Sequence, residues 1–134
     1  MSSDAPLFLD AEDVVELHAT QIEVYGGSAG LRDRSLLESA VAQPQASFGG
    51  EFTHEGLFAM AAAYLFHIVS NHPFVDGNKR AGMLSAVVFL DVNGISIDHP
   101  SEALYELTMS VAESRIAKEA VAVELERIAI SSRS

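Results

Sequence analysis

Apolar residues recur at helical spacing along most of the chain, and alternating strand patterns are nearly absent. Caps and breakers divide this pattern into six predicted helices, over residues 10–25, 33–43, 55–71, 77–93, 101–115 and 117–130. Apolar side chains lie almost all the way round the third segment, which is typical of a helix buried on several sides. We therefore expect one all-α domain over residues 1–134, built around that central helix, with a frayed end from Ser131 onward.

One segment does not fit a helix. Residues 45–53 precede the central helix and contain the pair Gly49-Gly50, flanked by the aromatic residues Phe48 and Phe52. Glycines between apolar residues favour a tight turn, so this segment predicts a short β-ribbon or flap instead of a floppy linker.

Two other features receive no catalytic assignment. The stretch GGSAG at residues 26–30 has the spacing of a hydrolase nucleophile elbow, but it follows a helix, whereas an elbow follows a strand. We interpret it as a helix stop with a flexible turn. His18, His54 and His99 show no recurring spacing, and we interpret His67 as a helix residue with a backbone or water partner.

Composition narrows the classes of partner. The chain has 134 residues, of which 49% are apolar, enough for one domain with a real core. Its 19 acidic and 8 basic residues give a net charge of −11, and such a field repels nucleic acid and anionic lipid surfaces. We therefore expect no direct nucleic-acid partner and no membrane partner. A nucleotide would have to be bound by a local cluster of donors and cations.

Other absences favour a cytoplasmic protein. Cysteine does not occur, which excludes disulfides, thiolate nucleophiles and cysteine-ligated zinc. The first ten residues are polar and acidic and do not resemble a secretory signal. The longest apolar run, residues 57–66, is too short to span a bilayer.

Chemistry-bearing residues are concentrated in HPFVDGNKR, residues 72–80, between two predicted core helices. The second of these helices opens at Gly77, where free backbone N–H groups and the helix dipole favour an anion. Lys79 and Arg80 add two cations in its first turn. These are the components of a phosphate-binding site.

The same string offers a base and a metal ligand. His72 has the pKa range of a general base at neutral pH, and Asp76 is a hard oxygen ligand for Mg²⁺ beside nucleotide phosphates. Composition alone also fits a non-catalytic interpretation. In it Lys79 and Arg80 are surface cations, His72 is an ordinary loop histidine and Asp76 caps the next helix.

The exact string favours the catalytic interpretation. HPFVDGNKR closely resembles the Fic/Doc signature, in which His, Phe, an acidic residue, Asn and Arg recur in a loop between two helices. The stretch from Leu9 to Gln45 resembles the N-terminal part of the death-on-curing, or Doc, toxin branch. The resemblance thus covers about residues 9–94 and implies a Fic-type helical domain.

The resemblance also implies roles at matching positions. His72 would activate a target hydroxyl, Phe74 would anchor the loop, and Asp76 would bind magnesium. Asn78 would position either phosphate or the loop backbone, and Arg80 would bind terminal phosphates.

Lys79 distinguishes between reactions within the family. AMP-transferring Fic enzymes have Gly-Asn-Gly-Arg, in which the second glycine leaves room for the α-phosphate, whereas this chain has Gly-Asn-Lys-Arg. The resemblance to Doc implies transfer of the γ-phosphate of ATP, with Mg²⁺, to a hydroxyl of a translation protein such as elongation factor Tu. Two departures leave activity open: Doc itself has alanine in place of Gly77, and many relatives have threonine in place of Ala81.

Two alternatives stay open at this point. One is Fic-type transfer of AMP or another nucleotide to a protein hydroxyl, and the other is a non-catalytic Fic-fold binding module. The sequence contains no good match to the inhibitory helix of many Fic enzymes, so the resemblance favours inhibition by an antitoxin segment of the Phd type. The predicted flap could receive a target segment by strand addition.

Overall fold

The computed structural model describes residues 5–99 and 101–132, and within them it contains six helices and one β-hairpin. The elements are α1 Ala11–Tyr25, α2 Arg34–Ala42, β1 Ser47–Phe48, β2 Glu51–Phe52, α3 Leu57–Asn71, α4 Asn78–Val92, α5 Glu102–Ala112 and α6 Lys118–Ser132. The predicted fold class, all-α with a short ribbon before the central helix, is confirmed. None of the helices in the described ranges has the length and apolar character needed to cross a membrane.

Helix α3 is the centre of the bundle and packs against α2, α4, α5 and α6. Every side chain from Met60 to Leu65 is buried, as the all-round apolar pattern predicts. The approach to α4 is closest at Gly82, where an added Cβ would lie 2.8 Å from Val69 Cγ2 and 3.2 Å from the Leu65 carbonyl oxygen. A side chain at position 82 would therefore force the two helices apart.

Helix α1 packs against α4 and α2 and begins with a reciprocal cap. Asp10 Oδ1 accepts a hydrogen bond from Asp13 N, and Asp13 Oδ2 accepts one from Asp10 N, both at 2.9 Å. The backbone N–H of Asp13 is the main cause of a lowered pKa at Asp10. This box satisfies two of the N–H groups that a helix start leaves without partners.

The last two helices differ from the sequence prediction at their ends. Helix α5 ends at Ala112 and not near residue 115, because Ser114 adopts a left-handed conformation with φ 58°. A glycine usually marks such an end in the sequence, and position 114 has none. Helix α6 continues through Ser131 to Ser132, so the expected fraying at these two residues is wrong. The rest of the predicted frayed end, residues 133 and 134, lies outside the described residues.

The predicted ribbon is a hairpin with two strands of two residues each. Ser47 pairs with Phe52 and Phe48 with Glu51, and both turn glycines have positive φ. The ring of Phe52 packs edge-on against Phe8, with centroids 5.6 Å apart. Phe48, at the turn, is 89% exposed. The hairpin is thus attached at one aromatic residue and presents the other to solvent.

His67 of α3 lies where α6 packs on that helix, and His54 precedes α3. Lys118 Nζ donates a hydrogen bond to His67 Nε2 at 3.1 Å, so the partner of His67 is a side chain and not the expected backbone or water. Burial, and to a smaller extent the Lys118 ammonium, lower the pKa of His67 to about 4. Burial and the same ammonium also lower the pKa of His54. Both rings are therefore neutral in the folded protein at neutral pH.

Acidification should destabilise this packing. Folded His67 stays neutral down to about pH 4, whereas an unfolded histidine binds a proton below about pH 6.5. The unfolded state gains protons first as the pH falls through this window, so the free energy of unfolding decreases, by about 1–2 kcal/mol for a half-buried ring. Urea unfolding at a series of pH values checks this.

Two variants serve as matched controls for the pH effect. His67→Gln keeps an acceptor for Lys118 but cannot titrate, so it should reduce the decrease. His99→Gln changes an exposed histidine and should leave the decrease as in the wild type. An unchanged pH dependence in His67→Gln would contradict the assignment.

Candidate functional site

Residues 72–77 form a tight loop between α3 and α4, which the Asn78 side chain closes, and residues 78–80 begin α4. His72 ends α3 in a left-handed conformation with φ 55°, and Asn78 is the first residue of α4. The Asn78 side chain is buried and accepts from Phe74 N at 2.8 Å, while its Nδ2 donates to Phe74 O at 3.0 Å. Both polar groups of one loop residue are thereby paired, and the amide cannot be turned round without losing both bonds.

The same amide contacts the predicted base. Because Phe74 determines which end of the amide is nitrogen, the group 2.9 Å from His72 Nδ1 is the Asn78 Nδ2 donor. Nδ1 therefore accepts, and a neutral His72 ring carries its proton on Nε2. Of the two roles expected for Asn78, the contact with the loop backbone is present in the structure, and the contact with phosphate stays a prediction.

The start of α4 is suited to an anion. Gly77 precedes the helix with φ 79° and ψ 21°, and within the described part of the chain no side chain caps the helix. Its first N–H groups therefore remain available to a ligand at the positive end of the helix dipole. Lys79 and Arg80 are exposed there, and the Arg80 guanidinium lies over the Tyr25 ring, 4.2 Å from its centroid.

Asp76 lies beside this helix start as a charged carboxylate. Its Oδ2 accepts from Ser28 N at 3.1 Å and its Oδ1 from Gly77 N at 2.9 Å. These two N–H groups, Ser28 first, hold the pKa of Asp76 below its usual value. The non-catalytic interpretation of Asp76 as the cap of α4 is wrong, since Gly77 occupies the cap position. The Asp76 side chain accepts from Gly77 N, which lies before the first residue of the helix.

Asp76 supplies only part of the ligand set that magnesium needs. Each carboxylate oxygen retains a lone pair beyond its N–H bond. Across the described residues, however, no group of three or more His, Cys, Asp or Glu side chains converges on one point. Such a site fits Mg²⁺ in the manner usual for nucleotide enzymes, where one carboxylate shares the ion with water and substrate phosphates.

Two clefts flank the turn formed by residues 76–79. One, of about 210 Å³, contains His72 together with that turn and Ala112 of α5. The other, of about 240 Å³, contains the same turn with Arg80 and residues of α1. A larger depression of about 420 Å³ beside α1 and α4 is mainly apolar and acidic, which does not suit phosphate. The predicted base, carboxylate and cations therefore adjoin one pair of clefts.

The loop after α1, residues 26–33, is hydrogen-bonded to the motif. The sequence analysis missed this support. Val75 N donates to Gly30 O at 3.0 Å, and Arg32 N donates to Pro73 O at 2.7 Å. The Arg32 side chain also donates to His72 O at 2.8 Å. The GGSAG stretch, interpreted as a flexible turn, is thus hydrogen-bonded to the loop between α3 and α4. Its position within the Doc-like N-terminal stretch was the only available signal.

Gly27 shows how closely this loop approaches. It has φ 117°, and an added Cβ would lie 2.8 Å from Asp76 Oδ2. No other residue type fits this position without moving the carboxylate or the loop.

Helix α1 contributes a further residue that sequence reasoning left without a role. His18 is buried, its ring stacks on Phe74, and its Nε2 lies 2.7 Å from the Asp76 carbonyl oxygen. The contact joins residues 58 positions apart, so no local spacing could reveal it.

Comparison with known proteins agrees with the motif. The model of the Fic/DOC family matches residues 8–90. Toxin Doc of Mycolicibacterium smegmatis is 36% identical over 129 residues, which cover 95% of this chain and 97% of that protein. Protein kinase doc of Escherichia phage P1 is 33% identical over 120 residues, which cover 90% of this chain and 94% of that protein.

Gly27→Ala should displace the Asp76 carboxylate, whereas Gly26→Ala should not. Gly26 also has positive φ, 85°, but a Cβ there would meet no atom of the described residues within 4 Å. We expect Gly27→Ala to lower the free energy of unfolding by about 1–3 kcal/mol more than Gly26→Ala, because it also breaks a hydrogen bond to a charged group. Urea unfolding measures both, and equal losses would refute the contact.

Proposed function

The chain belongs to the Fic/DOC family, and we propose that it is a Doc-type toxin that transfers the γ-phosphate of ATP to a hydroxyl of a translation protein. The observation that carries this proposal is that Asp76 and Lys79, at the uncapped start of α4, line both clefts, with His72 in one cleft and Arg80 in the other. The name of the phage P1 relative, Protein kinase doc, supports phosphoryl transfer in particular.

The proposed reaction assigns one task to each group. The target hydroxyl attacks the γ-phosphorus, its proton passes to His72, the bond from the γ-phosphorus to the bridging oxygen breaks, and ADP leaves. The α4 N–H groups, Lys79 and Arg80 bind the phosphates and offset their charge. Asp76 would hold Mg²⁺, which when bound supplies further neutralisation of phosphate charge.

Base catalysis places one demand on the loop. In the structure Asn78 donates to Nδ1, so the proton of neutral His72 sits on Nε2. A base that accepts at Nε2 needs the opposite tautomer. The proposal therefore requires that His72 lose its bond from the Asn78 amide when the substrates bind. The ring proton can then move to Nδ1, and Nε2 can accept.

Lys79 supports the kinase reaction over AMP transfer. It occupies the position of the glycine that leaves room for the α-phosphate in AMP-transferring Fic enzymes, and its exposed ammonium adjoins both clefts. A side chain there fills the α-phosphate space and supplies a cation for the β- and γ-phosphates. This is the basis for choosing γ-phosphoryl transfer.

The proposal includes partners and a compartment. The exposed hairpin with Phe48 is suited to pairing with an extended target segment, for which elongation factor Tu is the candidate. Inhibition would come from an antitoxin of the Phd type, a partner that the name Toxin Doc supports. Both proteins would be met in the cytoplasm.

Labelled ATP tests the reaction. The protein is incubated with a cell extract and with ATP labelled at either the γ- or the α-phosphate. We expect label on a protein from γ-labelled ATP only, because the β–γ linkage is the one broken. Label from α-labelled ATP would instead establish nucleotidyl transfer.

Two variants complete this test. His72→Ala should abolish labelling and toxicity in cells, and His99→Ala, at an exposed histidine outside the site, should retain both. If His72→Ala is as toxic as the wild type, and neither protein transfers label from γ- or α-labelled ATP, the chain is a binding module that acts without catalysis.

A further inference from the structure

We propose that His18 is a positioning residue for the peptide group between Asp76 and Gly77, and hence for the Asp76 carboxylate. The inference deepens the proposed function, since it assigns a support to the phosphate and metal site. Nothing in the sequence pattern distinguished His18 from other helix residues, so the assignment stands on the geometry alone.

The first observation is the burial and pairing of the ring. His18 is 4% exposed and lies parallel to the Phe74 ring, with centroids 3.8 Å apart and planes 5° apart. Its Nε2 is 2.7 Å from Asp76 O. A carbonyl oxygen only accepts, so Nε2 carries a proton and donates. The imidazole is therefore held in one plane by Phe74 and points one N–H at one atom.

The second observation is the group that accepts this bond. The Asp76 carbonyl belongs to the same planar peptide as Gly77 N, which donates to Asp76 Oδ1 at 2.9 Å. Fixing the oxygen of a trans peptide also fixes the direction of its N–H. His18 at one end of the peptide thus determines where the carboxylate at the other end is bound.

The third observation is the packing of α1 against Gly77. An added Cβ at Gly77 would lie 3.4 Å from His18 Nε2 and 3.5 Å from Ile22 Cδ1, which is ordinary contact distance. Gly77 immediately precedes α4, so a rotation of this peptide would also reorient the start of the helix. The contact from α1 is therefore coupled both to the Asp76 carboxylate and to the first N–H groups of α4.

A simpler role would be that of a core histidine that only fills space. The two contacts of the ring separate these roles, because stacking on Phe74 needs an aromatic ring and positioning of Asp76 needs a donor. His18→Phe keeps the ring and removes the donor. His18→Gln removes the ring and places an N–H near the former Nε2.

Two readouts test the inference without relying on catalysis. The backbone amide resonances of Gly77 and Ser28 report the two bonds to Asp76, and calorimetry with Mg²⁺ and a non-hydrolysable ATP analogue reports the assembled site. We expect His18→Phe to shift both amides and to weaken analogue binding at least about fivefold, the loss of one hydrogen bond. His18→Gln should restore both towards the wild type, although it unfolds at lower urea.

His99→Phe, which adds the same side chain at an exposed position, should change neither readout. Unshifted amides with wild-type analogue affinity in His18→Phe would overturn the inference, as would a His18→Gln protein as impaired as His18→Phe. Failure of the proposed function is distinguishable, because a wild type that transfers no phosphate leaves the amide shifts interpretable.

Discussion

The hydrogen bonds between the Asn78 side chain and the backbone of Phe74 are the constraint on which the site depends. They close the turn that joins the two most extensively packed helices, and they lie in a buried part of the protein. Each bond contributes only about 1 kcal/mol net, but an unpaired buried partner would cost about 1–3 kcal/mol. These bonds therefore favour the observed turn between α3 and α4. This turn places His72 and Asp76 next to the start of α4.

This loop is supported from outside as well as from within. Phe74 is buried under the ring of His18, Arg32 donates to the carbonyl of His72, and Ser28 donates to Asp76. These contacts come from α1 and the loop after it, which explains why the Doc-like resemblance begins so far ahead of the motif. The proposed anion site is compatible with a net charge of −11, since a helix dipole and two adjacent cations act at short range, where distant acidic residues are screened.

Helix existence, the central place of α3 and the hairpin were predictable from the sequence, because periodicity, Gly49-Gly50 and the proline stops are local signals. The end of α5 was not, since a left-handed serine leaves no mark in composition. The motif predicts the residues of the candidate site, and in the structure Asp76 and Lys79 line both clefts, His72 one of them and Arg80 the other. Their supports were not predictable. His18 and Ser28 contact Asp76 from 58 and 48 positions away, and such contacts exist only once the helices have packed.

The most direct test of this account is the tautomer of His72, read from the nitrogen resonances of its ring in the free protein. If Phe74 orients the Asn78 amide as described, neutral His72 carries its proton on Nε2 and leaves Nδ1 as an acceptor. Asn78→Ala should abolish this preference. A proton on Nδ1 in the free wild-type protein would contradict the account, because Asn78 could not then be donating to His72.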